Sequence, residues 1–231
     1  MTGLLVFAGG IASVVAMLIG ASAGGADWGA RTMSLLFSWE PRRLRVLLTR
    51  LIVVLAMGLV LTALSVGVAL ALGSLIAGAH GLDPAVQVPP DADYLRTADI
   101  GAARELALRW LPLGVLAAAG GFGVAMATRS TGWAIGATIA LITLAEPLVQ
   151  ALWPWGSQWL VQTNVIAWMS GGTEWTVSRG AASGSGSSVG GSEAQSGVIY
   201  LSDERGLGVL VLMVGVVLAV AAYLLTRRDV D

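Results

Sequence analysis

The sequence predicts an all-α protein, a polytopic bundle of membrane-spanning helices. Hydrophobic side chains make up 56% of its 231 residues and charged ones only 12%, and the mean hydropathy is +0.80. Soluble domains, by contrast, carry about 25% charged residues. Several apolar segments also reach the roughly 20 residues that a helix needs to cross the hydrocarbon layer. Composition and segment length together indicate a single transmembrane domain over residues 1–231.

Five spans are predicted from long apolar runs. They cover residues 4–22, 51–79, 111–128, 132–150 and 207–225. All are apolar all round, which is typical of helices embedded in lipid rather than exposed to water. Glycines spaced four apart, which allow close helix contacts, occur as Gly20 with Gly24 and Gly132 with Gly136. The sequence therefore predicts closely packed spans.

The placement of arginine predicts the orientation of the spans. Segments 24–50, 129–131 and 226–231 hold eight of the thirteen arginines, whereas the longer segments 80–110 and 151–205 hold five. Basic residues concentrate in cytoplasmic loops. The amino terminus is therefore expected outside and the carboxyl terminus in the cytoplasm.

A cleaved signal peptide is a competing interpretation of the first span. Residues Ala21, Ser22 and Ala23 resemble an A-x-A cleavage site after an apolar core. However, no basic residue precedes the apolar core, and cleavage would leave the arginine-rich loop outside. The pattern favours a retained span.

The two outer segments differ in character. Segment 80–110 is expected to be a loop followed by a short surface helix at 99–110, in which Glu105 and Arg109 form an i,i+4 pair. Segment 151–205 ends in a Gly/Ser-rich run that predicts a mobile loop. Its first part is expected to re-enter the membrane or lie along the outer interface, because it contains the interface-favouring tryptophans at positions 153, 155, 159, 168 and 175. Interface anchoring is favoured over a substrate-binding role for these tryptophans.

Few residues suit catalysis or metal binding. With no lysine, the chain cannot form the lysine-containing phosphate loop of an ATPase, and with no cysteine it has no thiolate site. The single histidine, His80, does not supply a metal cluster or a catalytic triad. The net charge of −1 gives no indication of nucleic-acid binding. We therefore expect neither enzyme activity nor a bound metal or cofactor in this chain.

Glu146 is the candidate intramembrane acid, a residue type that is functional by default because charge in lipid is costly. Its predicted position lies near the outer end of the fourth span. Pro147 follows and would break or kink the helix there. These two features favour a structural role, such as capping a turn, over a functional one.

The stretch 26–50 contains five arginines and predicts two short helical pieces. Asp27 is a plausible N-cap for a helix over residues 28–39, which ends before Glu40-Pro41 because the residue before proline avoids helical geometry. Pro41 then opens a helix that leads into the second span. Its arginines form a basic collar at the membrane entrance, suited to anionic headgroups, and comprise Arg42, Arg43, Arg45 and Arg50.

This stretch resembles the membrane subunit of ATP-binding-cassette exporters of the type-2 permease family, particularly small bacterial members. The family pattern is an acidic-aromatic pair, a Gly-Thr-Met, a Leu-Leu-Thr run, an aromatic-Glu-Pro-Arg-Arg block and a basic residue that opens the next span. The matching residues are Asp27-Trp28, Thr32-Met33, Leu35-Leu36, Trp39-Glu40-Pro41-Arg42-Arg43, Arg45-Val46 and Arg50. Arg31 replaces the family glycine, and five spans are visible where the family normally has six.

The resemblance implies a function for this loop. Its short helix would be a coupling helix that docks on a separate ATPase subunit, present in two copies, which binds ATP and Mg. The permease would pair with a second copy or a homologue in the bacterial cytoplasmic membrane and export an unidentified substrate. The contact residues implied are Asp27, Trp28, Arg31, Thr32, Leu35, Leu36, Trp39 and Glu40.

Two other classes of function stay open. An ion-gradient-driven transporter or channel would usually place ionisable groups or broken helices at mid-membrane. A membrane-embedded enzyme would need polar groups facing one another. Neither pattern is evident in the sequence, so the exporter is the leading hypothesis and the ion-driven transporter is the alternative.

Overall fold

The computed structural model describes residues 2–30, 32, 43–79, 100–178 and 196–227. Among these residues, five helices or helical stretches are long and apolar enough to cross a membrane. They are α1 (Thr2–Gly29), α2 (Arg43–Ala79), α3 (Ile100–Thr128), a composite fourth span and α7 (Asp203–Arg227). The prediction of a mostly helical chain is confirmed, and the described residues contain the predicted number of helices able to span a membrane by length and composition.

The fourth span is not a uniform α-helix. It consists of α4 (Thr131–Ala140), a π-helical turn (Leu141–Ala145) and α5 (Glu146–Leu152). The Glu146 N–H donates to the Leu141 carbonyl, which is the i to i−5 bond of a π turn. Pro147 was expected to break or kink the helix here, and the helical path instead continues with this change of register.

Helix α3 corrects the predicted surface helix at 99–110. That segment and the third span form one continuous helix, even though Pro112 lies inside it. One face explains the continuity, because Ala103, Ala107, Trp110 and Leu113 are all buried at helical spacing. The predicted pair within it is present, since the Arg109 Nη2 donates to the Glu105 carboxylate at 2.9 Å.

Two compact units make up the chain, and the first contains residues 1–136 and 213–231. Its largest core cluster joins α1, α2, α3 and the second half of α7 and comprises Ala16, Leu47, Val54, Ala118, Phe122, Met126, Ala221 and Leu225. A smaller cluster of Ala21, Ala125 and Ala134 adds the start of α4. Because Ala21 is buried there, the A-x-A site lies within a packed helix.

Close approach of α1 to α3 depends on glycine. A Cβ at Gly20 would overlap the Ala118 carbonyl oxygen, and one at Gly24 would lie 2.6 Å from the Phe122 carbonyl oxygen. The first predicted glycine pair is therefore a helix contact. For the second pair, a Cβ at Gly136 would meet nothing within 4 Å among the described residues.

The second unit contains residues 137–212. After α5 come a 3-10 helix (Pro154–Trp159), α6 (Val161–Ser170), the strands β1 (Thr173–Ser178) and β2 (Ser196–Leu201), and the first turns of α7. The strands pair antiparallel, with Thr173 opposite Leu201 and Ser178 opposite Ser196. The predicted all-α fold thus includes one hairpin, and the predicted outer loop 151–205 is largely regular structure where it is described.

Several predictions fall outside the described residues. They concern the loop with His80, the Gly/Ser-rich run after β1, and most of the predicted coupling helix. The coupling-helix residues concerned are Arg31, Leu35, Leu36, Trp39 and Glu40, together with Arg42 of the collar.

Candidate functional site

Asp27 and Trp28 lie in the last turn of α1. The prediction that Asp27 is the N-cap of a new helix is therefore wrong. Thr32 instead closes the end of α1, because its N–H donates to the Asp27 carbonyl at 3.1 Å and its hydroxyl to the Asp27 carboxylate at 3.3 Å. These bonds satisfy groups that a helix end leaves open.

An ion pair joins this turn to α2. The Arg50 guanidinium contacts the Asp27 carboxylate, and their side chains are 24% and 34% exposed. Arg50 lies in the second turn of α2, which begins at Arg43. Asp27 therefore holds together α1 and α2, the two helices on either side of residues 31–42 in the chain.

Trp28 extends the same cluster to the connection between α3 and α4. The Arg129 guanidinium lies 4.4 Å from the centroid of the Trp28 ring, within the range of a cation–π contact. Arg129 lies in the short connection between α3 and α4 with a φ of 56°, an uncommon conformation for a residue other than glycine. Trp28 also packs against the main core cluster. The α3–α4 connection is thus held against the end of α1.

The end of α1 also lies against the start of α4. A Cβ at Gly25 would overlap the backbone and hydroxyl of Thr131, the first residue of α4. We define the junction as Asp27, Trp28, Thr32, Arg50 and Arg129. It brings together the predicted acidic-aromatic pair and the predicted basic residue of the next span. Arg129, from the connection between α3 and α4, joins them.

Of the remaining collar residues, Arg45 is exposed in the first turn of α2. Arg43 begins that helix. Both therefore lie on the same short helical end as Arg50, one to two turns before it.

Glu146 forms a separate buried site in the second unit. The residue is 1% exposed, and its two carboxylate oxygens accept the N–H groups of Val161 at 2.9 Å and Gln162 at 3.1 Å. These are the first two residues of α6, whose N-cap, Leu160, has no side-chain acceptor. A carboxylate is well suited to this place because free N–H groups and the helix dipole make a helix start positive. Glu146 therefore caps a different helix rather than a local turn.

Other polar side chains are buried around this cap. Ser157, Thr163 and Asn164 are at most 1% exposed, and the Asn164 amide donates to the Gln158 carbonyl at 2.9 Å and the Leu160 carbonyl at 2.7 Å. The sequence does not predict these residues, since isolated polar side chains among tryptophans give no periodic signal.

The surface of the same segment is apolar. Leu148, Leu152, Trp153, Trp155 and Trp159 are between 46% and 76% exposed. Polar groups inside and large apolar groups outside are the reverse of a water-soluble unit. This distribution favours contact with lipid, in keeping with the predicted re-entrant or interfacial segment.

No group of three or more His, Cys, Asp or Glu side chains that could hold a metal is found in the part of the chain that the structure describes. Catalytic constellations of the kind that an intramembrane enzyme requires are likewise not assembled at Glu146, whose carboxylate oxygens bind backbone N–H groups. The arrangements at both sites hold helices together.

Known proteins give no assignment for this chain. No protein-family model matches it, and no curated protein or solved structure is detectably similar to it. The likeness of residues 26–50 to type-2 permeases therefore stays a prediction. The five long apolar helices among the described residues mark a membrane-embedded protein.

Proposed function

We propose that this chain is the permease subunit of an ATP-binding-cassette exporter of the type-2 permease family. It would couple ATP hydrolysis by two copies of a separate ATPase subunit to movement of a substrate across the bacterial cytoplasmic membrane, as one of two permease copies or homologues. The observation that carries the proposal is the junction, because it ties both ends of the loop with the family motif to three helices of the bundle.

The junction offers a mechanism for transmitting force from a docked ATPase. A displaced loop pulls on Thr32 at one end and on α2 at the other, and both are held by Asp27. Because ion pairs and hydrogen bonds act over short distances, the loop can move far only if these contacts break or the helices follow. The Trp28–Arg129 contact passes the same displacement to the α3–α4 connection.

The orientation belongs to the same proposal. The end of the first unit that carries the junction also carries the collar arginines Arg43, Arg45 and Arg50. Arginine at short loops favours the cytoplasmic side. With the junction in the cytoplasm, the amino terminus lies outside and α7 ends inside, at Arg227.

The alternative, an ion-gradient-driven transporter or channel, has weaker support. Ion coupling needs a carboxylate that can exchange its partner for a proton or cation. Glu146 is the buried carboxylate of the described spans, and both of its oxygens already accept backbone N–H groups. Because these hydrogen bonds occupy the carboxylate, the exporter is the better supported proposal.

Co-expression with an ATPase tests the proposal. The full chain is purified with the product of a neighbouring ATPase reading frame, and ATP hydrolysis is measured with and without the permease in vesicles. We expect a stable complex whose ATPase rate depends on the permease. Replacing both Trp39 and Glu40 with alanine should remove this dependence but leave membrane insertion intact.

A matched control and a contrary result complete the test. Trp153→Ala removes a tryptophan that is 61% exposed in the second unit and should leave the ATPase response unchanged. The proposal is wrong if transport proceeds in vesicles without any ATPase subunit, or if the Trp39 and Glu40 double variant couples normally.

A further inference from the structure

Arg205 is a half-buried arginine at the beginning of a membrane span. It lies in the first turn of α7, which runs from Asp203 to Arg227. At 1.5 Å per residue a helix of that length is about as long as the bilayer core and its interfaces require. Under the proposed orientation, Arg205 is at the level of the outer headgroups.

Contacts within the second unit fix the position of its guanidinium. Its Nη2 donates to the Gln158 side-chain oxygen at 2.7 Å, and its centre lies 5.9 Å from the Trp159 ring centroid. The next residue, Gly206, packs so closely on α6 that a Cβ there would lie 2.8 Å from the Asn164 carbonyl oxygen. The backbone beneath Arg205 is therefore held firmly.

The guanidinium keeps donors for a further partner. A guanidinium carries five N–H donors, and among the described residues the hydrogen bonds of the Arg205 guanidinium go to Gln158 alone. No carboxylate in the described ranges forms an ion pair with it. An arginine at the membrane boundary with this arrangement can donate charge-assisted hydrogen bonds to a phosphate oxygen.

The surroundings indicate what carries that phosphate. Trp155 and Trp159, 46% and 47% exposed, present large rings with a preference for the headgroup level. A small anion dissolved in water would not contact these apolar rings. A phospholipid would contact them with its glycerol and acyl groups.

The acidic residues that precede Arg205 indicate which type of lipid headgroup fits the site. Asp203 and Glu204 occupy the same helical turn. With Arg205, this turn carries two carboxylates and one guanidinium, and its net negative charge disfavours a headgroup that is itself negatively charged. A zwitterionic headgroup can direct its phosphate to the guanidinium and its ammonium toward the acids.

We infer that Arg205, Gln158 and Trp159 form a binding site for the phosphate of a zwitterionic phospholipid in the outer leaflet, with phosphatidylethanolamine as the fitting headgroup. The lipid holds the start of α7 to the 3-10 helix that bears the tryptophans. The inference depends on the proposed function only for the side of the membrane. Neither an ATPase subunit nor a transported substrate takes part in it.

Native mass spectrometry of the purified full chain tests the site. The protein is taken from vesicles that contain phosphatidylethanolamine, phosphatidylglycerol or a phosphate-free diglucosyl lipid, and the retained lipid is counted. We expect phosphatidylethanolamine to be retained most. Arg205→Gln should lower its apparent affinity by about tenfold, the loss of one charge-assisted hydrogen bond.

Arg227→Gln is the matched control, because Arg227 also lies beside an aromatic ring, Tyr223 at 5.0 Å, but at the other end of the same helix. It should retain lipid as the unchanged protein does. Gln158→Leu leaves the guanidinium in place without its hydrogen-bond acceptor and should also weaken retention, while circular dichroism checks that both variants remain folded.

Three results of the retention measurement would overturn the inference. They are equal retention by the Arg205→Gln variant and the unchanged protein, equal retention of the phosphate-free lipid and phosphatidylethanolamine, and preference for phosphatidylglycerol. Displacement of the lipid by millimolar inorganic phosphate would also overturn it, because the site would then bind a free anion. Failure of ATPase association leaves the lipid measurement unaffected, so the two proposals fail separately.

Discussion

The Asp27 carboxylate pairs with the Arg50 guanidinium and so joins the last turn of α1 to the second turn of α2. Thr32 bonds to the same aspartate through its backbone and its hydroxyl. One acid therefore contacts both Thr32, just after α1, and Arg50 of α2. Its loss should affect the two helices together.

Neutralising each charge tests this ion pair. Asp27→Asn and Arg50→Gln should each weaken ATPase coupling in the proposed complex. The coupling energy from a double-mutant cycle should be about 0.5–1 kcal/mol, as for partly exposed pairs. Thermal unfolding in one detergent measures the change in stability, and the ATPase rate measures the change in coupling.

The exchanged pair, Asp27→Arg with Arg50→Asp, is the control, since it restores the attraction in the opposite sense. It should recover part of both losses. If the effects of the two single substitutions simply add, the pair does not act as a unit.

Glycine at the α1–α3 contact allows a second prediction. Gly20→Ala would place a methyl group on the Ala118 carbonyl oxygen. The helices must then separate, which costs about 1–3 kcal/mol, as overpacking generally does. Gly10→Ala is the control on the same helix, because its methyl group would meet nothing within 4 Å. Thermal unfolding should separate the two variants, and equal midpoints would contradict the close contact.

Hydropathy was sufficient to predict the five spans, because burial in lipid requires long apolar runs. It was not sufficient to place their ends. The third span was started at residue 111 because charged residues precede it, yet Ala103 and Ala107 continue its buried face. Helix α1 continues through Asp27 because Arg50 and Arg129, distant in sequence, supply partners for its last turn. Helix ends are predicted from neighbouring residues in the sequence, so partners distant in sequence are not taken into account.

The hairpin of the second unit was missed for a different reason. Strand β1, Thr173–Ser178, and strand β2, Ser196–Leu201, are six residues each and flank the Gly/Ser-rich run. Strands this short give a weak alternation signal beside a tryptophan-rich segment. Glu146 was recognised as structural, but its partners lie at the start of α6, where Leu160 offers no cap.

Arg129 provides a test of backbone strain in the α3–α4 connection. Its φ of 56° costs a residue with a Cβ about 1–2 kcal/mol, and glycine avoids this cost. Arg129→Gly and Arg129→Ala both remove the guanidinium from Trp28. The glycine variant should therefore be more stable than the alanine variant by about 1 kcal/mol, measured by thermal unfolding. Equal stability would mean that the connection relaxes to another conformation.

Capping of α6 by Glu146 gives the last prediction. In Glu146→Gln the amide oxygen can accept an N–H, but the amide nitrogen cannot. One of the N–H groups of Val161 and Gln162 then loses its acceptor in a buried place. The expected loss of stability is about 1–3 kcal/mol. Hydrogen exchange should show faster opening at the start of α6, whereas Glu105→Gln, at a residue that is exposed on α3, should change little.

A rescue experiment distinguishes this cap from a general effect of burial. Leu160 occupies the N-cap of α6 without a side-chain acceptor. Leu160→Ser would give the helix its own cap, a contribution of about 1 kcal/mol. Combined with Glu146→Gln, it should therefore recover part of the lost stability and slow exchange at Val161 and Gln162. If Leu160→Ser leaves the Glu146→Gln variant as unstable as before, the carboxylate contributes through something other than these two N–H groups.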